Sequence, residues 1–171
     1  MALRRIYKKK FKGVNVQSGH IYKFRYQAWE NDPEPTIIFM YFFKGTHENT
    51  GREWRFFQAI NFTYIPRADR KRFAQKWIST MSKTNNPKFT WVICKARFPY
   101  LQNAVRRYFY DPEYYIKNMK EIPFEDIEKA IVSTYSKDFS KKVKSFLINK
   151  FRNVMRNRRQ YQKTGKFPRR K

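Results

Sequence analysis

His47 and Glu48 stand side by side in GTHENTG, between Gly45 and Gly51. An imidazole beside a carboxylate is a possible acid–base pair, and a His close to Asn49 is one element of a His-based nuclease. Such chemistry needs further groups brought to the same point. The only other histidine, His20, opens GHIYKF, which is faintly similar to the opening tripeptide of one nuclease family but lacks its second motif and placed Glu. Glu30, Asp32 and Glu34 are the acids that could converge on Mg²⁺ beside a scissile phosphate. They fall in a Pro-bracketed loop, and TIIFMYFF after them completes no acidic–x–Lys set. His47 and Glu48 therefore read as turn residues, and no catalytic residue is assigned.

One cysteine, Cys94 in FTWVICK, and two histidines cannot supply a conventional zinc site. Cys94 reads as a small buried hydrophobe. With five glycines in all, no glycine-rich phosphate loop is present, so neither cofactor nor metal nor small-molecule substrate is expected. No apolar run approaches the roughly 20 residues that span a bilayer. The start, MALRRIYKKKFKG, lacks the apolar segment of a secretory signal, so an intracellular or particle-bound protein is expected.

What remains is charge. Thirty-nine Lys and Arg stand against thirteen Asp and Glu, a formal net charge of +26 on 171 residues. A folded body so charged repels itself, which points to a polyanionic partner in the working state. The excess is uneven: residues 1–19 carry six cations and no acid, and residues 137–171 carry fourteen cations and one acid. Aromatic residues make up 19% of the chain, too many for a disordered basic tail.

The elements that would carry this charge follow from periodicity. GHIYKFRYQAW alternates and reads as a strand, with Ile21 and Phe24 or Tyr26 inward. TIIFMYFF is a buried strand, GTHENTG a turn, and EWRFFQAINFTYI a returning strand, so a hairpin is expected around residues 45–51. PRADRKRFAQKWISTM is a helix with Phe73, Ala74, Trp77, Ile78 and Met81 inward. PYLQNAVRRYF reads as helical, and PFEDIEKAIVSTY as a clearer helix with acids in its first turns; FTWVICKARF takes no firm assignment. The expected fold is α+β: a small antiparallel sheet in the N-terminal half, then packed helices. Residues 1–18 form a basic arm, 19–136 one domain, and 137–171 a basic amphipathic helix and tail.

Candidate anion-binding residues are the cations crowding these elements. Arg67, Arg70, Lys71, Arg72 and Lys76 sit at the start of the PRADRKR helix, where free N–H groups also favour an anion. Arg106 and Arg107 lie together, and Lys142, Lys150, Arg152, Arg156, Arg158 and Arg159 coat the C-terminal helix. Tyr7, Phe11, Tyr22, Phe24, Tyr26 and Trp54 interleave with cations in the manner of surfaces that stack bases, although most of these rings are expected in the core. No recognition-helix or RNA-recognition motif is present, so binding is expected to be independent of sequence.

SGHIYKFRY, GTHENTGREWRFFQAINFTYIPRADRKRF and PYLQNAVRRYF, in that order, resemble small basic virion proteins of large contractile-tailed bacteriophages, described as DNA end protectors or as minor structural proteins. The likeness covers residues 18–132. Members carry a Gly- and Leu-rich segment before NLHYLPP, where this chain has FFQAINFTYIPR with Phe62 and Thr63 at the variable points. The resemblance implies a virion component, in the host cytoplasm during assembly, partnered by DNA and other virion proteins, and it implies no catalytic residue. A tail or baseplate component docking acidic proteins, a ribosomal or RNA-scaffold protein, and a nuclease are the alternatives.

Overall fold

TIIFMYFF is apolar throughout because its strand is covered on both faces. In the computed structural model, which describes residues 4–28, 32–46, 51, 53–110 and 115–133, this run lies in β5 (Thr36–Thr46) at the middle of a six-stranded sheet. β5 pairs antiparallel with β6 (Glu53–Asn61), from Ile37 opposite Asn61 to Thr46 opposite Glu53. That is the expected hairpin pairing, and His47–Glu48 lie outside the described residues. β4 (Ile21–Tyr26) pairs with β5 at Thr36–Ile38, and β1 (Arg4–Ile6) pairs with it further along, at Phe42–Lys44. β7 (Val105–Phe109) joins β6, and β8 (Ile116–Glu121) joins β4. The order is β7-β6-β5-β4-β8, with every pairing antiparallel.

Three helices pack on one face: α1 (Arg67–Thr84), α2 (Pro87–Arg97) and α3 (Ile127–Ser133). The polar SKTNNPK supplies the corner between the first two. Asn85 takes the left-handed conformation that ends α1, and the Asn86 side chain accepts from the Phe89 N–H to cap α2, with Pro87 in its first turn. Ile21, Ile38 and Ile60 from the sheet meet Phe73 and Trp77 of α1, Cys94 of α2 and Ile127 of α3. Burial pushes the Cys94 thiol up to about 11, with Lys76 pulling the other way. Gly19 sets the closeness of this packing. It has φ +87, its carbonyl accepts from Trp77 Nε1 at 2.9 Å, and a Cβ there would stand 2.6 Å from Met81 Cε.

The opposite face is aromatic. Tyr22, Phe24, Tyr26, Phe39, Phe57 and Tyr108 pack with Ile37 and Ile116. Phe57 and Tyr108, directly opposite across β6 and β7, stack at 5.2 Å. A hairpin of β2 (Lys8–Phe11) and β3 (Val14–Gln17) adds Phe11 and Val16 to this core. The fold is α+β.

Two expectations need correction. Residues 1–18, expected as a basic arm, include three strands. Ile6, Phe11, Val14 and Val16 give that lysine-rich stretch enough apolar surface to seat on the aromatic core, while Lys8, Lys9, Lys10 and Lys12 stay exposed. PYLQNAVRRYF, expected as a helix, is a 3₁₀ turn (Pro99–Ala104) followed by β7. The spacing of Leu101, Ala104, Val105 and Tyr108 mimics a helical face, but Val105 and Tyr108 pack on opposite faces of the sheet. β7 and β8 also extend the sheet beyond the N-terminal half. FTWVICKARF falls within α2 up to Arg97. All described residues lie in the first of two units, residues 1–135; the second, residues 136–171, is outside them. The amphipathic helix with Lys142, Lys150, Arg152, Arg156, Arg158 and Arg159 is therefore outside the described residues.

Candidate nucleic-acid interface

The cations expected to gather at the start of α1 are dispersed there. Arg70 is only 3% exposed. Its Nε donates to the carbonyls of Phe62 and Ile65, both at 2.8 Å, and its Nη2 to that of Thr63 at 3.2 Å. The strand-to-helix connection, a 3₁₀ turn over Phe62–Tyr64, leaves these carbonyls buried, and one guanidinium satisfies all three. Arg70 thus holds the chain together and is withdrawn from any outside anion, a correction to its expected role. Lys71 Nζ lies 3.3 Å from Glu128 of α3, and Arg72 Nη1 lies 3.4 Å from Asp69. Arg67 is exposed, and Lys76 is half-buried beside Cys94. One acid of the PFEDIEK segment serves α1: Glu128 answers Lys71 and accepts from Gln75.

A second set of cations is held differently. Directly opposite residues across β1, β5, β6 and β7 form one row: Arg5, Phe43, Phe56, Phe109. Cross-strand partners share a face of the sheet, so the four point the same way. Phe43 and Phe56 stack at 4.8 Å with 24° between the rings, and Phe56 meets Phe109 at 5.6 Å. Beside the row, Tyr41 touches Phe43 at 5.2 Å and Tyr7 at 5.9 Å. Cations lie over these rings. Arg5 sits 4.9 Å from the Tyr41 centroid and 5.8 Å from that of Phe43, Arg107 sits 5.4 Å from Phe56, and Lys88 sits 4.8 Å from Tyr7. On the other face, Lys9 lies 5.5 Å from Phe42. A ring orients a cation, at about 0.5–1 kcal/mol when exposed, without cancelling its charge.

Two pockets border this surface. At the β1 end, Arg5, Tyr7, Tyr41, Lys88, Trp91 and Val92 line one of 390 Å³. At the β7 end, Tyr26, Asp32, Asn61, Tyr64, Arg106 and Tyr108 line one of 330 Å³. Here Arg106 lies over Tyr64, 3.8 Å from the centroid. Asn61 Nδ2 donates to Asp32 Oδ2 at 2.6 Å and to the Tyr108 hydroxyl at 2.7 Å. Asp32, 7% exposed, is a buried carboxyl inside a cationic protein. Burial raises its pKa, against the hydrogen bond from Asn61 and the charge of Arg70. Burial likewise raises Tyr108 well above the usual phenol range. Of the other acids weighed as metal ligands, Glu34 pairs with Lys23 at 3.3 Å, and Glu30 is outside the described residues. His20 Nδ1 meets Glu121 at 2.7 Å, on the far edge of the sheet.

Among the described residues, no group of three or more His, Cys, Asp or Glu could hold a metal ion. No described helix is long and apolar enough to cross a membrane. No protein-family model, curated protein or solved structure matches the chain.

Arg106 and Arg107 are thus the sequence candidates that reach the ringed surface. Arg5 and Lys88 belong with them, and Lys9 is held over a ring on the other face, although none of the three is among the sequence candidates. A signal was available: Arg5-Ile6-Tyr7 and Arg107-Tyr108-Phe109 both place a cation and a ring two apart, as a strand places residues on one face.

Proposed function

We propose that this chain is a non-enzymatic DNA-binding protein that grips the phosphate backbone without reading sequence. It acts as a minor virion component of a large contractile-tailed bacteriophage, holding or shielding genome ends or working at the head–tail region during assembly. One observation carries the binding reading: Arg5, Lys9, Lys88, Arg106 and Arg107 are held over aromatic rings. A cation oriented by a ring keeps its whole charge for a phosphate and has already lost part of its side-chain freedom. Charge-assisted hydrogen bonds to phosphate oxygens are strong and insensitive to base identity. The virion setting rests on the sequence resemblance over residues 18–132.

A titration of the full chain against random-sequence duplex DNA at several salt concentrations tests this. Neutralising five phosphates gives a log–log slope of about −4.5. A flat salt response would sink the DNA reading in favour of docking on acidic protein neighbours. Presence of the protein in purified particles tests the virion setting, and Mg²⁺-dependent cleavage of linear DNA would overturn the non-enzymatic one.

A further inference from the structure

We infer that the ringed face across β1, β5, β6 and β7 takes single-stranded DNA, with unpaired bases stacking at its two open ends and the backbone crossing the cations between them. This rests on the DNA reading above and adds the form of DNA preferred. The middle of the row is already filled, since Phe43 and Phe56 are buried. Its ends are open. Phe109 is 42% exposed, and at the other end the 390 Å³ pocket brings Tyr7, Tyr41 and Trp91 together with exposed Val92 (61%) at the rim. Neighbouring strands are roughly 4.8 Å apart, so about 14 Å separates the β1 and β7 ends of the row.

The chemistry of the ends favours bases over grooves. Phe109 and Val92 offer no hydrogen bond to a base edge or a phosphate, so their exposed surface adds nothing on a duplex whose base faces are stacked on one another. An unpaired base presents that face, and ring–base stacking tolerates any base. Arg5 and Lys88 stand at the pocket, and Arg107 lies over Phe56 beside Phe109, so each stacking position has a cation for the adjoining phosphate. An acidic protein would meet the same cations, yet it has no use for rings flanked by charge at both ends.

The test compares the full chain bound to a fifteen-nucleotide dT oligomer and to a duplex of equal length at matched salt. Tighter binding of the oligomer is expected. Phe109→Ala and Trp91→Ala should each weaken it about tenfold while changing duplex affinity less than twofold. Phe109→Trp should restore or tighten it. If Trp91→Ala lowers the melting temperature, Phe109→Ala, at an exposed ring, decides alone. Salt-dependent duplex binding with no response of the oligomer to Phe109→Ala overturns this inference and leaves the DNA reading standing. Absence of salt-dependent binding to either nucleic acid removes both. Displacement of the oligomer by polyglutamate of equal charge and concentration also overturns it, since charge alone would then explain the face.

Discussion

At the start of α1, basic side chains meet carbonyls and carboxylates: Arg70 is buried against three backbone oxygens, and Lys71 and Arg72 face Glu128 and Asp69. Along β1 and β7 the same residue types meet rings: Arg5 over Tyr41 and Phe43, Arg106 over Tyr64, Arg107 over Phe56. The first arrangement consumes positive charge inside the molecule. The second stores it at the surface in a fixed orientation. Density of Lys and Arg along the chain is therefore a poor guide to which cations keep their charge outward, and what each cation rests on is a better one.

Arg70 gives the largest expected effect. Arg70→Met should destabilise the fold by about 3 kcal/mol, because the buried carbonyls of Thr63 and Ile65 lose the guanidinium and that of Phe62 is left with the Ile65 N–H. Denaturant melts would measure it. Arg70→Lys should recover little, since a point ammonium cannot reach three acceptors as a planar fork does. Folded Arg70→Met should bind DNA as tightly as wild type. A loss of affinity with stability intact would break the comparison by returning Arg70 to the outside.

Next comes the ringed set. Arg5→Ala with Arg107→Ala should flatten the DNA salt slope by about 1.8, close to 0.9 for each phosphate left without its cation. An unchanged slope would show that the rings orient these cations for nothing outside the protein.

The buried acid near Arg106 sharpens the comparison from the other sign of charge. Asp32 has a raised folded pKa, so its contribution to stability is fully present below the ordinary carboxylate range and lost as pH rises through the raised value. Asp32→Asn has no such dependence. Its melting temperature relative to wild type should therefore climb as pH rises across the acid range, and a falling difference would mean that Arg70 and Arg106 hold the carboxylate ionised. The smallest effect is expected at α1. Lys71→Ala or Arg72→Ala should change stability by less than about 1 kcal/mol, as solvent-exposed pairs do, and should leave DNA affinity near wild type.

Much of the fold is legible in the residues alone. The central hairpin, the α1 stripe of Phe73, Ala74, Trp77 and Met81, and the acidic start of the PFEDIEK segment follow from period and punctuation. The β7 segment is not, because RRYF after a short 3₁₀ turn offers too few residues for a two-residue period to show against a helical one. Residues 4–17 mislead for a different reason: their lysines advertise an arm, and the apolar residues that seat them are few and scattered.

The sequence by itself determined a cationic, aromatic α+β chain with few His and Cys, because composition and periodicity depend only on which residues occur and at what spacing. Tertiary structure alone decided which cations remain outward. Arg5, Phe43, Phe56 and Phe109 form one row only through strand register, and Arg70 is spent only because the 3₁₀ turn before α1 presents three buried carbonyls to it. Register and burial are properties of residues far apart in sequence, and no local pattern encodes them.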